Sequence, residues 1–146
     1  MKILVDADAC PVKDIIIKIA KEHNLKVIMF IDESHVLKSD YAEVIQVAKG
    51  PDVADFRLVN QVETGDIVVS SDYGLASMAL AKNGKVITFN GKVLNEFNID
   101  ALMMQRHMVK KNVRAGKKVR GPKKRTLEND QNFEKNFTTL IKSNFH

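Results

Sequence analysis

Lys2-Ile3-Leu4-Val5-Asp6-Ala7-Asp8 opens the chain, and Asp66-Ile67-Val68-Val69-Ser70-Ser71-Asp72 follows the same plan near its middle. In each, a short continuous apolar run ends in carboxylates. Runs of this length, apolar on both faces, read as buried strands of a parallel sheet. In open α/β sheets, ligands bind beyond the carboxyl ends of the strands. Asp6, Asp8 and Asp72 therefore fall on the edge where such a fold does its work.

Working outward, Pro11 suits the first turn of a helix that continues through Ile15, Ile16, Ile19 and Ala20. A second strand is expected over 26–31, a loop over 32–41 and a third strand over 43–47. Asp52 is placed to cap a helix carrying Ala54, Phe56, Leu58 and Val59. The fourth strand, 66–70, is followed by a helix over 74–82, stopped at Asn83-Gly84, and by a fifth strand over 85–89. A long helix from Ile99 to about Val113 has Met103, Met104 and Met108 as core positions. A last amphipathic helix spans about 128–141, with Phe133, Phe137, Leu140 and Ile141 on one face. Alternating strands and helices with short joins imply a three-layer α/β sandwich around a mainly parallel five-stranded sheet. Should the first strand lie beside the fourth, the topological switch point falls between them, and Asp6, Asp8 and Asp72 converge there.

At 146 residues and 45% hydrophobic, the chain has the size of one domain with a substantial core. No apolar stretch approaches the roughly 18 residues of a membrane span. The opening, one lysine and then an acid-terminated strand, does not fit a signal peptide. The single cysteine, Cys10, excludes an internal disulfide and a cysteine zinc cage. A cytoplasmic location is expected.

Charge divides the chain into parts. Residues 1–109, the α/β core, carry 12 Lys/Arg against 15 Asp/Glu. Residues 110–125 carry nine basic residues and no acid: Lys110, Lys111, Arg114, Lys117, Lys118, Arg120, Lys123, Lys124 and Arg125. Residues 126–146 form the C-terminal helix, expected to pack on the core. A basic block of this density suits the phosphates of nucleic acid, because neutralising them releases counterions. Few aromatics interleave with it, so base stacking is not indicated.

The acids point to hard divalent cations, Mg²⁺ or Mn²⁺, which prefer oxygen ligands. Asp6 is the leading ligand, Asp72 the second. Asp8 is also close enough to the Cys10-Pro11 turn to cap the following helix, and Asp72 to cap the helix after it. Asp55 falls in the first turn of its helix, where it suits either the dipole or a metal. Asp66 precedes its strand and belongs on the opposite edge. Among His23, His35, His107 and His146 there is no zinc-type spacing; His107, on a helix beside Arg106, is placed to face phosphate but reads first as a surface residue. No phosphate-binding glycine loop is present.

Three segments, Asp6-Ala7-Asp8-Ala9-Cys10-Pro11-Val12, Gly65 through Ala76, and Gly121-Pro122-Lys123-Lys124-Arg125-Thr126, resemble the YaiI/YqxD family of bacterial proteins. That family looks like a branch of the PIN-like nucleases, which cut RNA or DNA with acidic residues and Mg²⁺ or Mn²⁺. The resemblance implies a metal-dependent nuclease, with RNA the preferred substrate over DNA. It matches Asp6 and Asp72 to the acids after the first and fourth strands, and Asp8 and Asp55 to further acids of the pattern. A mid-chain glutamate of the PIN-like pattern has no clear counterpart. Ser70-Ser71 stands where a threonine and a polar residue are expected, and the Ser71 hydroxyl is the one available to metal or phosphate.

Two other functions fit parts of the sequence. A non-catalytic RNA-binding or ribosome-associated module would use the basic block alone. A haloacid-dehalogenase-like phosphatase would use Asp6 as nucleophile, with Lys82 or Lys85 as its lysine.

Overall fold

The computed structural model describes residues 1–116 and 124–144. The order along the chain is β1 (Lys2–Asp6), α1 (Lys13–Glu22), β2 (Lys26–Asp32), β3 (Glu43–Val47), α2 (Val53–Asn60), β4 (Ile67–Val69), α3 (Tyr73–Ala81), β5 (Lys85–Ile87), β6 (Val93–Leu94), α4 (Ile99–Arg114) and α5 (Leu127–Ser143). One sheet takes the order β3-β2-β1-β4-β5-β6. All neighbours are parallel except β5 and β6.

Side chains alternate across each strand, which sorts the apolar runs onto two cores. Ile3, Val5, Met29, Ile67 and Val69 face one core, closed by Ile16 and Ile19 of α1 and by Phe133 and Phe137 of α5. Leu4, Ile28, Phe30, Val68 and Val86 face the other, closed by Leu58 of α2, Leu75 and Ala79 of α3, and Ile99 of α4. Helices on both faces explain why these strands are apolar throughout.

Three expectations are corrected. The sheet has six strands, not five. The sixth is a two-residue strand that folds back on β5 through a turn at Gly91, too short to leave a sequence pattern. Asp52 stands at the N-cap position of α2 but accepts no capping bond, because it sits in the left-handed region at φ 60° after Gly50-Pro51. Met103, Met104 and Met108 are exposed, Met104 at 61%, and α4 reaches its core through Ile99 and Leu102.

β1 and β4 are adjacent, with Leu4 opposite Val68 and Val5 opposite Val69. The chain leaves them in opposite directions across the sheet, toward β2 on one side and β5 on the other. The topological switch point thus lies between their carboxyl ends.

Candidate active site at the switch point

Strand parity builds the site. Leu4 and Val68 face the core of α2 and α3, so Asp6 and Ser70, two residues further on, face that same side at the open end. The Ser70 hydroxyl donates to Asp6 Oδ2 at 2.9 Å and accepts from the Asp72 backbone N–H at 3.1 Å. Ser70 is fully buried. Asp72 heads α3, where its Oδ1 accepts from the backbone of Gly74 at 2.9 Å and Leu75 at 3.1 Å. It is therefore a helix cap, and its second oxygen stays out of that cap. Asp55 enters from the first turn of α2.

Electrostatics tie these acids together. Burial, then the neighbouring charges of Asp72 and Asp8, push the Asp6 carboxyl up to about 6, against a lowering bond from Ser70. Asp55 is also raised to about 6, by burial, by the charges of Asp72, Asp6 and Asp52, and by a hydrogen bond shared with Asp72. Burial is the larger cause in both, and the neighbouring acids add to it. The donor set is all oxygen, which fits a hard divalent ion.

Asp8 lies near this group but is engaged elsewhere. It does not cap α1. It accepts from the backbone N–H of Asp32 at 3.2 Å and pairs with His35 Nδ1 at 3.1 Å. His35 also reaches Asp32 Oδ1 at 3.2 Å, and one ligand atom from each of Asp8, Asp32 and His35 lies within 4.8 Å of the others. That spacing is compatible with a divalent metal. Asp32 was legible by the rule that found Asp6, since Met29-Phe30-Ile31-Asp32 is again an apolar run ending in an acid. His35 carried no such signal.

A cleft of about 530 Å³ opens beside Asp72, lined by Ser71, Tyr73 and Gly74 on one side and by Met103, Arg106, His107 and Lys110 of α4 on the other. Of the nine basic candidates, Lys110 thus lines the cleft next to the acids. His107, expected first as a surface residue, lines it too. Lys111, Arg114 and Lys124 are exposed. Lys117, Lys118, Arg120 and Lys123 lie outside the described residues. Arg125 is committed to the fold: its guanidinium donates to Asp130 and to the Phe89 carbonyl at 2.8 Å, and to Asn90 at 2.7 Å.

Three further side chains have partners of their own. The Ser71 hydroxyl accepts from the Phe89 backbone N–H at 3.1 Å, so it is Ser70 that meets a site carboxylate. Burial pushes the Cys10 thiol up to about 11, which keeps it protonated and unreactive. Asp66 is buried at the opposite edge, where it binds the Lys2 and Glu63 backbone N–H groups and the Lys2 ammonium.

This fold and edge define an α/β protein with carboxylates gathered at a sheet switch point and a cationic cleft beside them. Residues 4–143 match the family described as "Uncharacterized BCR, YaiI/YqxD family", and the chain belongs to it. It is 50% identical over 146 residues to a UPF0178 protein of Lachnoclostridium phytofermentans, covering 98% of each chain. It is 54% identical over 135 residues to a UPF0178 protein of Alkaliphilus oremlandii, covering 92% of this chain and 87% of that one. Among solved structures, Rae1 (YacP) from Bacillus subtilis aligns over 79% of this chain and 83% of its own, with 20% identity and a TM-score of 0.43. Among the described residues, no helix is long and apolar enough to cross a membrane.

Proposed function

We propose that this protein is a divalent-metal-dependent nuclease, cleaving RNA in preference to DNA, with its centre at Asp6, Asp55 and Asp72. The observation that carries the reading is the link from the Asp6 carboxylate through the Ser70 hydroxyl to the Asp72 backbone at the switch point, beside a cleft lined with Arg106, His107 and Lys110. Asp6, Asp72 and Asp55 would hold Mg²⁺ or Mn²⁺, with Asp8 at the rim. Such an ion lowers the pKa of a bound water and stabilises charge on phosphoryl oxygens. The chain's own contribution is positional. Ser70 fixes one Asp6 oxygen, and the α3 cap fixes one Asp72 oxygen, so the remaining oxygens are presented in a set orientation. Lys110 and the rest of the basic segment to Lys124 supply positive charge for the substrate backbone.

The phosphatase reading loses its lysine. Lys85 opens β5 opposite Ile67, and Lys82 ends α3 and donates to the Val59 carbonyl at 2.8 Å. Both belong to the edge away from Asp6.

The test is cleavage of RNA and single-stranded DNA with Mn²⁺ by the wild-type chain, Asp6→Asn and Asp72→Asn. Activity should fall by roughly two orders of magnitude or more in each variant. Equal activity in all three refutes the site. RNA binding that persists in EDTA and ignores Asp6→Asn, with no cleavage by the wild type, assigns the non-catalytic module instead.

A further inference from the structure

Arg106 occupies an unusual position. Its guanidinium lies over the Tyr73 ring, 4.0 Å from the centroid, and Nη1 faces the Ser71 carbonyl at 3.4 Å. The side chain is exposed yet held, and among the described residues no carboxylate forms an ion pair with it. Three clefts border this one group; one, of about 310 Å³, is walled by Leu102, Gln105 and Val109, and the other two carry further charged side chains. The larger of those two contains Asp72, His107 and Lys110, and the smaller, about 200 Å³, is lined by Thr88, Asn90 and Lys92 of the β5–β6 turn.

A planar guanidinium already immobilised by stacking is suited to phosphate, which it can engage with two parallel N–H groups at small entropic cost. A lysine stands on each side of it, Lys110 in one cleft, where His107 also lines the wall, and Lys92 in the other. A single mononucleotide would fill one cleft and leave the other without a partner. A strand with successive phosphates would use both.

We infer that the two clefts joined at Arg106 form a backbone track for single-stranded nucleic acid, leading from the Asp72 carboxylate past Arg106 to Lys92. The inference rests on the carboxylate cluster being a phosphodiester-cleaving centre, for which it names the path of the substrate. Arg106 is the residue that grips the phosphate at the junction, and Lys92 holds the next one along. Because the adjoining acids repel a polyanion, the track binds more tightly when their charge is reduced.

The experiment measures binding by fluorescence anisotropy in EDTA, so that cleavage plays no part. The probes are labelled single-stranded oligouridylate and oligothymidylate of two to twelve nucleotides, with uridine monophosphate as competitor. Arg106→Ala should weaken binding of the twelve-mers at least tenfold, and Lys92→Ala by a smaller factor. Arg106→Lys should recover only part of the loss, since an ammonium keeps the charge and not the fork. Asp72→Asn, which retains the cap, should tighten binding. Affinity should rise steeply beyond two nucleotides, and the monophosphate should compete poorly.

Lys142→Ala, an exposed position near the end of α5 at the opposite edge, controls for net charge. If it weakens binding as much as Arg106→Ala, or if Arg106→Ala binds within twofold of wild type, the track is overturned. Competition by the monophosphate equal to that of the twelve-mer also overturns it. Arg106-dependent binding in a wild-type chain that never cleaves would retain the track and remove the nuclease reading. Cleavage that persists in Arg106→Ala with unchanged affinity would do the reverse.

Discussion

Asp6 is a carboxyl whose neighbours oppose its charge. Its folded value of about 6 lies above the ordinary carboxylate range, so between about pH 4 and pH 6 the folded state binds the extra proton. Stability therefore falls as pH rises through that window and remains lowered above it. A displacement of this size is worth roughly 3 kcal/mol at most. Asp6→Asn, which keeps an oxygen for the Ser70 hydroxyl, should be more stable than wild type at pH 7.5 by up to that amount. The advantage should vanish near pH 3.5. Urea denaturation of both proteins across this range checks it, and parallel pH profiles would refute the buried-charge account. Asp72 separates charge from capping in the same way. Asp72→Ala loses the bonds to Gly74 and Leu75 and should cost about 1 kcal/mol, whereas Asp72→Asn keeps the cap and should not. Equal losses in thermal denaturation would mean that the carboxylate charge, and not the cap, holds the start of α3.

At the scale of elements, apolar runs, helical stripes and stop signals located β1 to β5 and all five helices, because most of them bury a face that imposes its period on the sequence. What escaped was short or context-dependent. Val93–Leu94 is held by β5 and by the turn behind it, not by any pattern of its own. Asp52 looks like a cap by residue type and is excluded by its left-handed backbone. The α4 methionines follow the helical period of a core face, yet α4 lies at the margin of the fold and leaves Met104 in solvent. The positions of Asp6, Asp55 and Asp72, at strand ends and helix starts, were legible because such boundaries are readable. That Arg106 and His107 line the cleft was not, since nothing local shows which way an exposed helix faces. Gly91 explains how α5 is seated. It adopts φ 89°, and a Cβ there would meet the backbone of Asn132 and Phe133 at 2.7–2.8 Å. Asn136 donates to its carbonyl at 2.7 Å, and Arg125 clasps the same turn through Asn90. Gly91→Ala should therefore cost about 2 kcal/mol or more, combining backbone strain with overpacking. Calorimetry checks it, and an unchanged Tm would show that α5 can shift without loss.

The whole molecule sets a mildly acidic body, with Asp6, Asp55 and Asp72 at one sheet edge, against a basic tract that begins in the last turns of α4. On the proposed metal-binding reading, this cluster makes stability respond to cations. At neutral pH, Asp6 and Asp55 ionise against each other and against Asp72, and an ion that neutralises them binds the folded state alone. Stabilisation then follows mass action and reaches roughly 2.7 kcal/mol when the ion is present at a hundred times its Kd. Protons compete for the same oxygens, so the effect should be strong at pH 7.5 and small at pH 5. The measurement is Tm with and without Mn²⁺ at both pH values, followed by circular dichroism because the chain lacks tryptophan. Asp6→Asn combined with Asp72→Asn should abolish the Mn²⁺ response. Should the double variant respond as fully as wild type while His35→Ala does not, the ion belongs to Asp8, Asp32 and His35, and the switch-point carboxyls are merely crowded.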